Sequence, residues 1–200
     1  MAHYSLILAH PYTASFNHGI AVAIQSALLQ KGHQVHFHDL CLEGFDPVMT
    51  APELGSDLSD DPQVIQHQKE LKTCDHLVIV HPNWWGQPPA ILKGWTDRVL
   101  RSGVAYKFGT RPDGTKGMIG LLPLKSLLVF TTSNTPSEVE AQEWNDPLEA
   151  IWTKYVAGFC QIPKVNRVNY SVVVSSTAEV REAWIRDAVA RSLAEAQGNG

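Results

Sequence analysis

The stretch His81-Pro-Asn-Trp-Trp-Gly-Gln-Pro-Pro-Ala-Ile-Leu-Lys-Gly-Trp95 decides how the chain is read. An apolar, β-branched run, Leu77-Val78-Ile79-Val80, leads into it and has the length of a buried strand. Prolines and glycines then break the strand, and residues 90–100 follow with helical spacing and no proline. So a buried strand ends, an aromatic loop turns outward and a helix begins. In open α/β sheets, loops at the carboxyl ends of strands are where ligands bind. Two adjacent tryptophans cannot both enter one strand-face core. At least one of Trp84 and Trp85 is therefore expected to face a ligand or a partner.

The same grammar extends in both directions. Residues 4–9 read as a first buried strand ending in the polar turn His10-Pro-Tyr-Thr-Ala-Ser-Phe-Asn17. A helix over 17–29 follows, with Asn17 as N-cap and Lys31-Gly32 as its stop. Val35 and Phe37 mark a second strand ending at Asp39-Leu40. Residues 41–62, with Pro, Gly and five acids between Asp46 and Asp61, read as a surface loop of ~20 residues, a length that is usually functional. A polar helix over 63–72 precedes the central strand. Residues 103–120, rich in glycine, read as irregular; 125–132 is another buried strand; 148–159 is helical. A last strand is expected over 169–175, centred on Val172-Val173-Val174, and a last amphipathic helix over 179–196. There is no repeat and no second domain, so residues 1–200 are read as one unit.

Strands alternating with helices indicate a doubly wound parallel α/β sheet. Right-handed crossovers place the loops after the first, third and fourth strands along one edge. With five strands, the flavodoxin-like order 2-1-3-4-5 opens its crevice between the first and third, where the loops His10–Asn17 and His81–Gly86 would face each other.

Bulk numbers exclude several classes. Net charge is -4, and no Lys/Arg cluster exceeds a pair, which speaks against nucleic acid as partner. Cys41, Cys74 and Cys160 are far apart and form no CxxC, so a reducing cytoplasm is the expected location. No apolar run reaches the ~20 residues of a membrane span, and the N-terminus lacks a secretory signal. A soluble cytoplasmic protein with no membrane insertion is expected.

The chemistry sits in three loops. The first offers hydroxyls, the His10 imidazole and the free N–H groups of a helix start, which suit a phosphate. It carries neither GxxxxGK[ST] nor GxGxxG, which disfavours ATP hydrolysis and the standard dinucleotide fingerprint. The second supplies tryptophan faces and backbone amides, a fitting wall for a flat redox-active ring. The third, Thr131–Thr135, is small and hydroxyl-rich. Elsewhere, His36, His38 and Asp39 lack a third ligand at a defining spacing. They read as solvated strand-end residues, and no metal is expected. His81 reads as buried and hydrogen-bonded, and Cys160 as a core thiol. Trp144, Trp152 and Trp184 read as packing residues. The acids between Asp46 and Asp61 read as a solvated loop able to cover one end of a ligand.

Two motifs carry a resemblance. Ala9-His10-Pro11 with Ser15-Phe16-Asn17, and Pro82-x-x-Trp85 leading into Pro89-Ala-Ile-Leu-Lys-Gly-Trp95-x-x-Arg98-Val99, have the spacing of the flavodoxin-like NAD(P)H:quinone oxidoreductases. The chain resembles that family from Ala9 to about Tyr170. The resemblance implies a flavin held at its phosphates by His10, Phe16 and Asn17. Pro82, Asn83, Trp84, Trp85 and Gly86 would lie beside the isoalloxazine, with Thr131, Thr132, Ser133 and Asn134 on its other side. It implies a homodimer with the site at the interface, and Ala105-Tyr106-Lys107-Phe108 matches the segment lining the quinone pocket, making Tyr106 and Phe108 substrate-binding. The reaction would be ping-pong, with hydride from NAD(P)H to the flavin and then to a quinone or similar acceptor. The Ser15-Phe16-Asn17 loop is more similar to that of FAD-using members, which favours FAD over FMN.

This chain departs from the family in three places. Thr131-Thr132-Ser133-Asn134 replaces Thr-Thr-Gly-Gly, and Ala14 replaces a cofactor-binding hydroxyl. Val139 and Asn145 stand where better-known members carry a tyrosine and a histidine, so no catalytic side chain is assigned. Two alternatives stand beside the enzyme reading. One is a regulatory, redox-sensing flavin subunit of a membrane transporter such as a potassium efflux system; the other is a member that has lost its flavin.

Overall fold

Five strands, β1 (His3–Leu8), β2 (Gln34–Asp39), β3 (His76–Pro82), β6 (Ser126–Ser133) and β7 (Lys164–Ser171), form one sheet in the computed structural model. Two further strands, β4 (Tyr106–Thr110) and β5 (Lys116–Gly120), form a separate antiparallel hairpin. The structure describes residues 1–56 and 59–197. The large sheet is parallel throughout, in the order β2-β1-β3-β6-β7. Counting sheet strands only, this is the expected 2-1-3-4-5.

Alternation along the central strands explains why their sequences are continuously apolar. β3 and β6 are buried along their whole length, and successive side chains point to opposite faces. Leu77, Ile79, Leu127 and Val129 enter one hydrophobic cluster; Val78, Val80, Leu128 and Phe130 enter the other. Both faces are covered, so neither tolerates polar interruptions. Helices α1 (Phe16–Gln30) and α8 (Ala178–Gln197) close one face through Ile20, Ile24, Leu28 and Ala188. The short α2 spans Ala51–Leu54. α3 (Pro62–Leu71) and α4 (Ala90–Val99) close the opposite face through Val64, Leu71, Leu92, Trp95 and Val99. A composite helix joins them there with Leu148, Trp152 and Val156. It follows α5 (Ser137–Trp144) and runs from α6 (Pro147–Glu149) through a π-helical turn, Ala150–Val156, into α7 (Ala157–Cys160).

Four local expectations are corrected. The last strand is Lys164–Ser171, not the valine run; Val173–Ser175 form a 3₁₀ turn and Val174 is exposed. β7 pairs only with β6 and lies at the sheet edge, so its pattern is mixed rather than continuously apolar. The glycine-rich 103–120 segment is not irregular but holds the β4–β5 hairpin, turned at Gly114 with φ +83°. The N-cap of α1 is Ser15, whose Oγ accepts the His18 N–H at 3.3 Å, and Asn17 lies inside the first turn.

Nor is the 41–62 segment simply a solvated acidic loop. Glu53 is buried, and its Oε1 accepts from the Arg98 guanidinium at 3.0 Å, which also reaches Asp61 at 3.0 Å and the Asp46 carbonyl at 2.6 Å. Asp57, another of its acids, lies outside the described residues. This segment explains part of the second motif: a Cβ at Gly94 would come within 2.2 Å of the Pro47 carbonyl oxygen. Trp95 Nε1–H donates to His67 Nδ1 at 2.8 Å. Gly94 and Arg98 are thus the seat on which the segment packs, while Trp95 is tied to α3.

Candidate functional site

The loops after β1, β3 and β6 meet at the carboxyl edge of the sheet around a cleft of about 1010 Å³. β1 and β3 are neighbours whose chain connections run to opposite sides, the switch point at which doubly wound sheets open. His10, Phe16, Asn17, Pro82, Asn83, Trp84, Trp85, Gly86, Thr132, Ser133 and Asn134 all line it. Thr131 does not. It is fully buried, one residue out of phase with Thr132 on β6, and its hydroxyl is bonded to Asn169 Oδ1 (2.9 Å) on β7.

In the first loop, Ser15 caps α1 and leaves the Phe16 and Asn17 amides, among the described residues, with no partner within the chain. These are the orphan donors of a helix start, pointing where the macrodipole is positive. The Tyr12 N–H donates to His10 Nδ1 at 3.1 Å, so a neutral His10 ring carries its proton on Nε2. Burial, with the neighbouring His18 ring, holds His10 below the ordinary histidine range. Beneath the cleft, Asn17 Nδ2–H donates to Thr132 Oγ1 at 2.9 Å, tying the start of α1 to the end of β6. No lysine or arginine lines the cleft among the described residues.

The second loop closes as a two-residue turn. Trp84 and Gln87 exchange backbone hydrogen bonds at 3.1 Å, and both central residues, Trp85 (φ 57°) and Gly86 (φ 68°), have left-handed backbone. That is the sign pattern of a type I′ turn, which glycine accepts and tryptophan does not favour. Trp85 is 101% exposed. Below the turn, His81 is fully buried between its own Nδ1–H bond to the Pro82 carbonyl (2.8 Å) and the Trp152 Nε1–H donated to Nε2 (3.0 Å). Burial pushes it down to about 4, so it is neutral, the hydrogen-bonded residue expected from the sequence.

The residues in place of the usual glycines of the third loop bind the loop itself. Ser133 Oγ–H donates to the Thr135 carbonyl (2.7 Å) and accepts from Asn169 Nδ2 (3.0 Å), and Asn134 Oδ1 accepts the Val174 N–H (3.0 Å).

Several cleft residues escaped the sequence reading. Trp144, expected to pack, lines the cleft and is half exposed, because α5 ends there and Asn145 turns the chain in the left-handed region (φ 54°). Glu140 is a buried carboxylate in the wall whose Oε1 accepts Asn83 Nδ2–H at 2.9 Å, while Asn83 Oδ1 accepts the Gly86 N–H at 2.9 Å. α5 carries Glu138, Glu140 and Glu143, and nothing in one sequence says which faces inward.

Tyr106 and Phe108 lie on the β4–β5 hairpin outside this cleft. Of the two strand-end histidines, His36 keeps a side chain 36% exposed, but His38 is not a solvated residue. His38 is bonded through Nδ1 to Glu43 (3.0 Å) and through Nε2 to Glu70 (2.5 Å), and these carboxylates raise its pKa against the opposing effect of burial. It stacks on His67 at 3.8 Å. His38, Glu43 and His67 bring ligand-type atoms within 4.8 Å of one another. A metal at His67 Nε2 would need that nitrogen free of hydrogen, yet the Trp95 donor at Nδ1 fixes the proton on Nε2. Asp39 takes no part and pairs instead with His18.

With this geometry in hand, comparison adds the following. A family model described as a flavodoxin-like fold matches residues 2–195. The chain is 31% identical over 156 residues to NAD(P)H dehydrogenase [quinone] 1 of Rattus norvegicus, covering 68% of this chain and 56% of that protein. The chain thus spans little more than half the length of the first curated relatives it matches. Among solved structures, Smu.1420 from Streptococcus mutans UA159 superposes with a TM-score of 0.82 at 28% identity, over 95% of this chain and 98% of that one. An FMN-dependent NADH-azoreductase from Bacillus anthracis, solved in complex with FMN, shares the fold at a TM-score of 0.72 and 18% identity, over 96% and 98% of the two chains.

Proposed function

The chain belongs to the family of flavodoxin-like fold proteins, and on that premise we propose that it is a flavin-dependent NAD(P)H:quinone oxidoreductase. The observation that carries the reading is one cleft combining two unpartnered amides at the start of α1 with the side chains of Trp84 and Trp85. Amides at a helix start suit a phosphate, and an aromatic wall suits a flat ring. The residues present fit a flavin nucleotide: Phe16 and Asn17 amides and the His10 Nε2–H at its phosphate, and Asn83, Trp84, Trp85 and Gly86 beside the ring, facing Thr132, Ser133 and Asn134. Thr131, turned to β7, is not carried forward. A bound flavin supplies the redox chemistry, accepting hydride from NAD(P)H and giving it to a quinone. The chain's own part is to orient the ring, exclude water and present hydrogen-bond donors.

FAD and FMN enter the test together, because solved neighbours described with a flavin hold FMN. We place the functional unit as a homodimer, with Tyr106 and Phe108 lining the acceptor pocket across the interface. Its support is an apolar groove lined by Tyr106, Tyr155 and Phe159, with Phe108 exposed two residues further along β4.

The test is titration of the protein with FMN and FAD, followed by steady-state oxidation of NADH and NADPH with a benzoquinone. Saturable binding of one flavin and parallel double-reciprocal lines are expected. Binding of neither flavin would refute the reading. Intersecting lines would remove the ping-pong order, and a monomeric mass by light scattering the shared pocket.

A further inference from the structure

Beneath the first loop lies a buried relay that the proposed function does not use. His18 Nε2 stands 2.6 Å from Asp39 Oδ2, and His18 Nδ1 stands 3.0 Å from Ser15 Oγ, which lines the cleft. Both His18 and Asp39 are more than nine-tenths buried. Asp39 Oδ1 accepts the backbone N–H groups of Cys41 and Leu42, each at 3.1 Å, so the carboxylate acts here only as an acceptor.

These contacts fix where the hydrogens are. Because Asp39 only accepts, His18 Nε2 carries a proton. In the neutral ring Nδ1 is then a bare lone pair, and the only hydrogen available between it and Ser15 Oγ is that of the hydroxyl. Ser15 O–H therefore points back into α1, while its oxygen accepts the His18 N–H as the helix cap. In this state the cleft loses Ser15 as a donor, and the Asp39 charge stands uncompensated behind the loop. When His18 takes a proton from solvent at Nδ1, that N–H donates to Ser15 Oγ. The hydroxyl hydrogen is freed toward the cleft, and the imidazolium neutralises Asp39.

We propose that His18 is a proton-linked positioning residue for an anionic ligand, so that the phosphate of a bound nucleotide gains the Ser15 donor only when His18 is charged. The inference rests on the flavin nucleotide reading given above. It is sharpened by the absence of lysine and arginine from the described cleft lining, which leaves histidine as the local source of positive charge. The titratable groups facing His18 are Asp39 from β2 and His10 from the loop after β1, its ring 6.3 Å away; Cys41 faces Asp39. Burial, with the neighbouring His18 ring, holds His10 below the ordinary range, so His10 serves as a neutral donor.

The experiment is calorimetric titration of the full chain with FMN, FAD and riboflavin from pH 7.5 to 9, in buffers of different ionisation heat. This range lies above the second phosphate ionisation near ~6. FMN and FAD binding is expected to take up as much as one proton, with Kd weakening up to about tenfold per pH unit, whereas riboflavin takes up none. H18Q and S15A are expected to lose the proton uptake. Nitrogen-15 histidine spectra of the unsubstituted protein give a second readout if H18Q fails to fold. The His18 Nδ1 resonance is expected to move to its protonated position with FMN and not with riboflavin. Flavin nucleotide binding without proton uptake, or uptake that persists in H18Q, would overturn this inference alone. Failure of all three flavins to bind would overturn the cofactor reading and this inference with it.

Discussion

Thr132→Val probes the joint beneath the cleft. Valine keeps the shape of threonine, so no cavity opens, but Asn17 Nδ2–H loses the acceptor it now meets at 2.9 Å. Both residues are buried, at 3% and 5% exposure, so water cannot readily replace the hydroxyl. A buried donor left without its partner costs about 1–3 kcal/mol. Burying a methyl group in place of the hydroxyl returns about 0.8 kcal/mol. The net loss is about 0.2–2.2 kcal/mol, centred on about 1 kcal/mol, which at that centre is a fall in Tm of about 2–4 °C for a chain of this length. The same joint sets the distance between the first and third loops, so flavin affinity should weaken about fivefold, which is about 1 kcal/mol. Urea unfolding of the flavin-free protein, with N17A and the double variant completing a cycle, measures the coupling; at least about 0.5 kcal/mol is expected. A T132V protein within about 0.5 kcal/mol of the parent, with no coupling to N17A, would show that the bond is not part of the folded protein.

Two further perturbations test other parts of the structure. W85N should raise stability by about 1 kcal/mol, because asparagine tolerates the left-handed backbone that tryptophan adopts at φ 57° and the exposed indole buries nothing. The same change should weaken flavin binding at least about tenfold, or about 1.4 kcal/mol; unchanged stability would refute strain at this turn. Burial alone would raise Glu53, but hydrogen bonds from Ser59, Thr50 and Arg98 outweigh it and hold the carboxyl down to about 2. Its contribution is therefore complete above the ordinary carboxylate value and lost as pH falls through about 4.5 toward 2. Urea midpoints between pH 6 and 3 should drop more steeply for the parent than for E53Q, and parallel curves would contradict the assignment.

The sheet order was legible because β1, β3 and β6 are covered on both faces and so write themselves as continuous apolar runs. β7 escaped because an edge strand alternates with polar residues, and the valine run beyond it attracted the assignment instead. The β4–β5 hairpin was hidden by glycines, which read locally as breaks. At the site, the loops after β1 and β3 were legible from their punctuation by proline, asparagine and aromatic residues. Thr131 was misplaced because a single residue of phase at a strand end decides whether a side chain faces the cleft or the neighbouring strand. His18 and Glu140 act through partners 21 and 57 residues away, and Trp144 through where a short helix stops. No local spacing encodes those partners.

The most direct test of the central claim is the visible spectrum of the flavin-reconstituted protein under anaerobic conditions, before and after NADH or NADPH and then after a quinone. We expect the oxidised flavin band to bleach with reduced nicotinamide and to return on adding the quinone. A bound flavin whose band neither NADH nor NADPH changes would contradict the proposed activity, even with the cleft and its ligand in place.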